Sequence, residues 1–390
     1  MSTRRDFLMT SAGLLGAAAP LLGKAQALPC PPPQLATDGS SSAATACTPS
    51  TMPAYIASMA PYQVRSLGGS YAPANGTSTL QSVMPAKWAG DDDIMRPWSG
   101  GAKSSNGSKM YVHGGGHKDS SNNGLYSFDF AGTSRPTGWT VENAGQTGVT
   151  SDFSVGSSGT PLSVHTYDAM VDMGASLYRF GGSSHPNGFF TSQVLRYNKA
   201  NSVWTRLPNW PGDASGGSAI ANAAAGKILL MDRWVNYNTY AFYRVATNNW
   251  SAEKQVASQW PDDFAAAYSP LSNVGVAIGG GGAFSFKIDW SAETIVQTSR
   301  SLPSGGGPAL LWDPTRDVFW CFGASGNNSK LYEINPATFA VTTHNLTGDA
   351  PLTPESDSRG TYGRWVFMDS WRAIGSVASR SSPAFIIRLP

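Results

Sequence analysis

The segment His165–Pro208 reads HTYDAMVDMGASLYRFGGSSHPNGFFTSQVLRYNKANSVWTRLP. Four short apolar–polar alternations lie in it, each closed by turn residues. Strand side chains alternate between two faces, and Gly, Asn, Asp and Ser supply the turns between strands. The second strand ends in a glycine pair, the third ends in Asn198, and the fourth carries Trp204.

The same order recurs along the chain. It is found in KMYVHGGG…GLYSFDF…GWTVE from Lys109, and in GKILLMDRWVNYNTYAFYRVATNNWSAE from Gly226. It returns in AAYSPLSNVGVAIGGGGAFSFKIDW, in ALLWDPTRDVFWCFGASGNNSKLYEINPATFAVTTHNL and in the final YGRWVFMDSWRAIGSVASRSSPAFIIRLP. A unit of about 40–50 residues with four strands is the pattern of a propeller blade. The expected fold is therefore all-β, a β-propeller over residues 55–390 with six blades. A seventh blade built partly from residues 55–90 also fits the pattern. The last unit ends after its third strand, so an N-terminal strand is expected to close the ring. The segment Gly76–Trp88, GTSTLQSVMPAKW, is the expected closing strand.

Composition agrees with many short aromatic strands and many turns. The 390 residues include 43 Gly, 13 Trp, 14 Tyr and 16 Phe, and only 13% are charged. The net charge of +2 lacks the basic excess of a nucleic-acid binder. Arg4 and Arg5 precede Phe7, Leu8, the apolar run LLGAAAPLLG and the small-residue site Ala25-Gln26-Ala27. That order reads as a twin-arginine (Tat) signal over residues 1–27, which implies a periplasmic or secreted protein. The apolar run is too short to span a membrane. Residues 28–54 form a low-complexity leader, in which Cys30 and Cys47 suit a disulfide worth about 3 kcal/mol. Cys321 lies in a strand pattern and reads as core.

The glycine pairs Gly114-Gly115, Gly181-Gly182 and Gly279-Gly280, followed by LYSFD, VLRYN or LYEIN and by Trp204 or Trp250, resemble the Kelch-type propellers. The resemblance covers roughly residues 90–390 and implies a fold more than an activity. GGGG at 279–282 lacks the Lys-Ser/Thr and the helix of a phosphate loop.

In a blade, the start of the first strand and the end of the second lie at one face of the ring. His165 opens a first strand, and Tyr167 shares a side of it. His185 and His117 follow the glycines that end second strands, and Arg233 ends the second strand of the next blade. Arg96 and Arg359 fall near the starts of first strands. One mouth is thus expected to gather His117, His165, His185, Tyr167 and these arginines, with Trp98 and Trp234 able to stack on sugar rings. The bland reading of each is a turn or core residue, and it is preferred for His113, before a glycine turn, and for His344, in an outer strand.

This pattern resembles the propeller ulvan lyases, in which histidines on neighbouring strands, a Tyr and an Arg surround the channel. The resemblance implies β-elimination on a uronate polysaccharide or oligosaccharide. Arg233 would then neutralise the carboxylate and His165 or Tyr167 would move the proton. One departure stands out: GGSAIANAAAG, the first strand of the blade carrying Arg233, has no tyrosine. Two alternatives remain open. One is a non-catalytic Kelch-like module that binds a glycan or protein. The other is a metal-dependent oxidoreductase, by resemblance to the Kelch-like copper oxidases with their Cys–Tyr cross-link, although only Cys321 lies in the propeller; His117, His165 and His185 could instead hold a single ion such as zinc or calcium. The protein is expected to act as a monomer.

Overall fold

The computed structural model describes residues 52–89, 94–95, 98–103, 107–117, 119–151, 153, 157–212, 217–233, 238–323, 329–349 and 360–390. The signal, Cys30, Cys47, Arg96, Trp234 and Arg359 lie outside these residues. No helix among the described residues is long and apolar enough to cross a membrane.

The chain forms a six-bladed β-propeller. Blade one comprises Gly101–Lys103, Lys109–Val112, Leu125–Asp129 and Gly138–Asn143. Blade two comprises Met170–Asp172, Ser176–Phe180, Val194–Asn198 and Val203–Leu207, with Ser158–Gly159 added at its outer edge. Blade three runs through Ser218–Asn222, Lys227–Asp232 and Thr239–Arg244, and its fourth position is shared by Asn249–Trp250 and Lys254–Gln255. Blade four is Asp262–Ser269, Val274–Gly280, Gly282–Asp289 and Thr294–Arg300. Blade five is Ala309–Asp313, Val318–Phe322, Lys330–Ile334 and Val341–Asn345. Blade six takes Trp365–Met368, Ala373–Ser376 and Phe385–Arg388 from the C-terminus. Each first strand touches that of the next blade, and Trp365–Met368 returns to Gly101–Lys103.

The second strands show why the ring forms. Lys227–Asp232 is buried on both faces. Ile228 and Leu230 pack with Tyr178 and Phe180 of blade two, whereas Leu229 and Met231 pack with Phe264, Ala277 and Phe286 of blade four. Val318–Phe322 repeats this arrangement. Trp320 and Phe322 join blade six, and Phe319 and Cys321 join blade four. Cys321 is a buried free thiol, as its strand context suggests.

The closing strand differs from the one expected. Gln63–Ser66 pairs antiparallel with Phe385–Arg388, with Val64 opposite Ile387, and Thr347–Gly348 adds in parallel outside it. Val64 packs into the core between blades five and six. Arg65 is buried on the other face, where it donates to Ser58 Oγ at 2.8 Å and to Tyr55 O. Gly76–Trp88 instead forms two short 3-10 turns, Leu80–Ser82 and Ala86–Trp88. Its Thr77 hydroxyl accepts from Trp139 N at 3.0 Å, so the segment braces the outer strand of blade one. Residues 55–90 therefore complete a blade and brace another, and they build no seventh.

Asp168 joins the blades at the centre. Its Oδ2 accepts from Ser218 Oγ of blade three at 2.5 Å and from Ala266 N of blade four at 2.9 Å. Lys103 of blade one shares this space. Burial pushes the Asp168 carboxyl up to about 7, against the pull of those two hydrogen bonds and of the Lys103 charge. Crowding by the surrounding inner strands holds the Lys103 ammonium below the ordinary value, against the pull of Asp168, although the residue keeps solvent-exposed surface. Tyr362 is the other titrating group here, and burial keeps its phenol protonated.

The native state thus holds the Asp168 proton more tightly than the unfolded chain, whose aspartates titrate near 4. The stability this confers is complete below about pH 4 and is lost as the pH rises through about 7. Thermal unfolding followed from about pH 5 to 8 should show Tm falling by a few degrees. Asp168→Asn, which can still accept both bonds, should remove that part of the slope. An unchanged slope would place the titration elsewhere.

Candidate functional site

The site is built where loops from blades one and two meet. Gly116 has φ +62° and lies so close to blade two that an added Cβ would stand 2.1 Å from His165 N. Only glycine fits that approach in that conformation. The contact carries the next residues onto the mouth. His117 N donates to Ser183 O at 3.0 Å, and Gly116 N donates to Ser163 Oγ at 2.7 Å.

His165 does not open the inner strand of blade two. Val164–His165 pairs instead with Ser183–Ser184, and the inner strand begins at Met170. Tyr167 has φ +46°, and Ala169 N donates to Thr166 O at 3.0 Å, so a turn separates the two strands. Side-chain alternation read the stretch as continuous. His165 and Tyr167 still adjoin, edge to face at 6.0 Å, because the turn brings them together.

Three side chains form the centre of the site. His165 Nε2 lies 2.8 Å from Asp119 Oδ2, and His117 Nδ1 lies 3.9 Å from the same oxygen. The two imidazoles stack with centroids 5.5 Å apart and planes 20° apart. Trp98 covers His165 from another side at 5.1 Å. A carboxylate partner requires Nε2 of neutral His165 to carry the proton, which leaves the lone pair on Nδ1. Burial lowers the pKa of His165, and the His117 charge lowers it further; the hydrogen bond and charge of Asp119 oppose both. Burial raises the Tyr167 phenol, and the charges of Asp263 and Asp119 add to this, so it is a donor at neutral pH.

Access separates the two imidazoles. His165 is 1% exposed, whereas 44% of the His117 side chain meets solvent. His117 is therefore the group that a ligand can reach, and His165 acts on it through Asp119. His185 is half-buried and lines a shallow groove of about 370 Å³ with Asp119, Ser120, Ser121, Thr147, Lys87 and Trp88. Asp119 thus bonds His165, lies near His117 and shares this groove with His185.

Arg233 pairs with Asp262 Oδ1 at the start of the inner strand of blade four. The next residue, Asp263, accepts from Trp98 Nε1 at 3.1 Å, which links that pair to the histidines through Trp98. His113 packs in the blade. Its Nδ1 donates to Gly124 O at 2.9 Å, Arg179 approaches its Nε2, and burial with the Arg179 charge lowers its pKa to about 3. His344 stacks on Tyr62 in an outer strand.

Among the described residues, no three His, Cys, Asp or Glu side chains are grouped to hold a metal. Sequence reading missed Asp119. The available signal was its position two residues after His117 in a glycine-led turn, where a carboxylate reaches the neighbouring imidazole.

No protein-family model matches the chain, and no curated protein is significantly similar to it.

Replacing Gly116 by Ala should destabilise the fold by about 1–3 kcal/mol, because the left-handed conformation and the His165 backbone both resist a Cβ. Chemical denaturation measures this. A loss within error would show that the loop can shift freely.

Proposed function

We propose that this is an exported carbohydrate-active protein whose channel mouth moves protons on a uronate-containing polysaccharide, cleaving it by β-elimination. One observation carries the reading: a solvent-facing imidazole, His117, stacks on a buried one and shares its carboxylate, Asp119. That is the arrangement of a positioned general base beside its orienting acid. The twin-arginine segment supports export. The resemblance of its His/Arg pattern to that of the ulvan lyases supports the substrate class.

In this scheme His117 takes the proton on the carbon next to the uronate carboxylate. The electron pair forms a carbon–carbon double bond, and the bond to the glycosidic oxygen breaks. The imidazolium then returns its proton to that oxygen. Tyr167, held protonated by burial, remains a donor beside the pair. His165 orients Asp119.

A second reading has its own support. Arg233, the expected partner of the substrate carboxylate, is already paired with Asp262. A mouth whose arginine is already held in an ion pair suits a module that binds a glycan or protein without turning it over.

Elimination leaves an unsaturated sugar that absorbs in the ultraviolet. The enzyme reading expects this product from at least one uronate polymer, and a fall of at least about 100-fold in His117→Ala. Binding of those polymers with no product would establish the module instead.

A further inference from the structure

The loop 183–190 of blade two is a rigid hairpin. Ser184 N donates to Phe189 O at 2.9 Å, and Gly188 N donates to Ser184 O at 2.8 Å. The Ser183 and Ser184 hydroxyls donate to Gly188 O and Phe189 O, each at 2.9 Å. The hairpin carries His185 into the groove. Gly188 lies against His117, where an added Cβ would stand 2.5 Å from Cδ2. On this braced loop Phe189 is 71% exposed. Its ring contributes little to the core, and rigid exposed aromatics suit stacking on the apolar face of a sugar.

Lys87 lines the same groove as Asp119 and His185. Its ammonium donates to Gly145 O and sits 5.6 Å from the Trp88 ring centre, which positions it. Its two other N–H donors have no partner among the described residues. The groove therefore has a cation in Lys87, an anion in Asp119, and the hydroxyls of Ser121 and Thr147. A ligand carboxylate is drawn to Lys87 and repelled by Asp119, which sets the orientation of the sugar.

We propose that this groove is a subsite for one acidic sugar residue, in which Lys87 pairs with the carboxylate, and that Phe189, exposed on the hairpin that brings His185 to the groove, stacks on a sugar ring beside it. The proposal rests on the reading of the His117 site as one that acts on a uronate glycan. It gives Lys87 the neutralising role that the pairing of Arg233 with Asp262 leaves open.

The test is calorimetric titration of the full mature protein with oligogalacturonate and oligoglucuronate fragments, and with the same fragments after reduction of their carboxyls to alcohols. Wild type should bind at least one acidic fragment about tenfold more tightly than its reduced form. Lys87→Met should abolish that preference, and Lys87→Arg should keep most of it. Phe189→Ala should weaken both forms by about fivefold. Both side chains are exposed, so the variants should unfold as wild type does. Equal binding of acidic and reduced fragments, no binding of either, or a preference untouched by Lys87→Met would overturn the subsite. A preserved preference without any elimination product would remove the lyase reading and leave the subsite standing.

Discussion

Each sheet of this protein has two apolar faces, and this constraint organises everything else. Ile228 and Leu229 are consecutive residues of one strand, yet they pack against blades on opposite sides. A sheet of this kind cannot end at solvent, so the row of sheets must close on itself. Closure is made by Gln63–Ser66, which lends the C-terminal blade its missing strand. Both ends of the folded region thereby lie in one sheet. Asp168 adds a second constraint at the axis, where one carboxyl joins the inner strands of blades three and four.

The candidate site follows from the same geometry. Loops leaving adjacent blades at one face are forced together, and at blades one and two they touch backbone to backbone at Gly116. That contact is what stacks His117 on His165, since the two residues belong to different blades. Asp119 then joins the imidazoles electrostatically. Burial removes His165 from solvent while leaving His117 open, so the pair divides into an orienting and an acting member.

Much of the fold was legible in the sequence, because strand alternation and glycine-ended turns are local signals. The six units, the missing fourth strand of the last, and the core character of His113 and Cys321 all follow from such signals. What was not legible depends on contacts distant in sequence. QVRS is too short to be recognised as a closing strand until Phe385–Arg388 is beside it. The break after His165 lies in a single left-handed residue, Tyr167, which side-chain alternation does not register. Asp119, Lys87 and Phe189 carry no motif of their own. Each gains interest only from the groove and the hairpin around it. Blade geometry led to the expectation of His117, His165 and His185 at one mouth, but not to Asp119 between the first two or to the engagement of Arg233 by Asp262.

Asp119 couples a buried imidazole to an exposed one. The most direct measurement is an NMR titration of the His165 ring in wild type and in Asp119→Asn. In wild type His165 should titrate below an ordinary histidine and hold its neutral proton on Nε2. Loss of Asp119 removes the one influence that raises its pKa, so the variant should titrate lower still. A His165 that titrates at the ordinary histidine value, indifferent to the substitution, would mean that Asp119 does not couple the two rings.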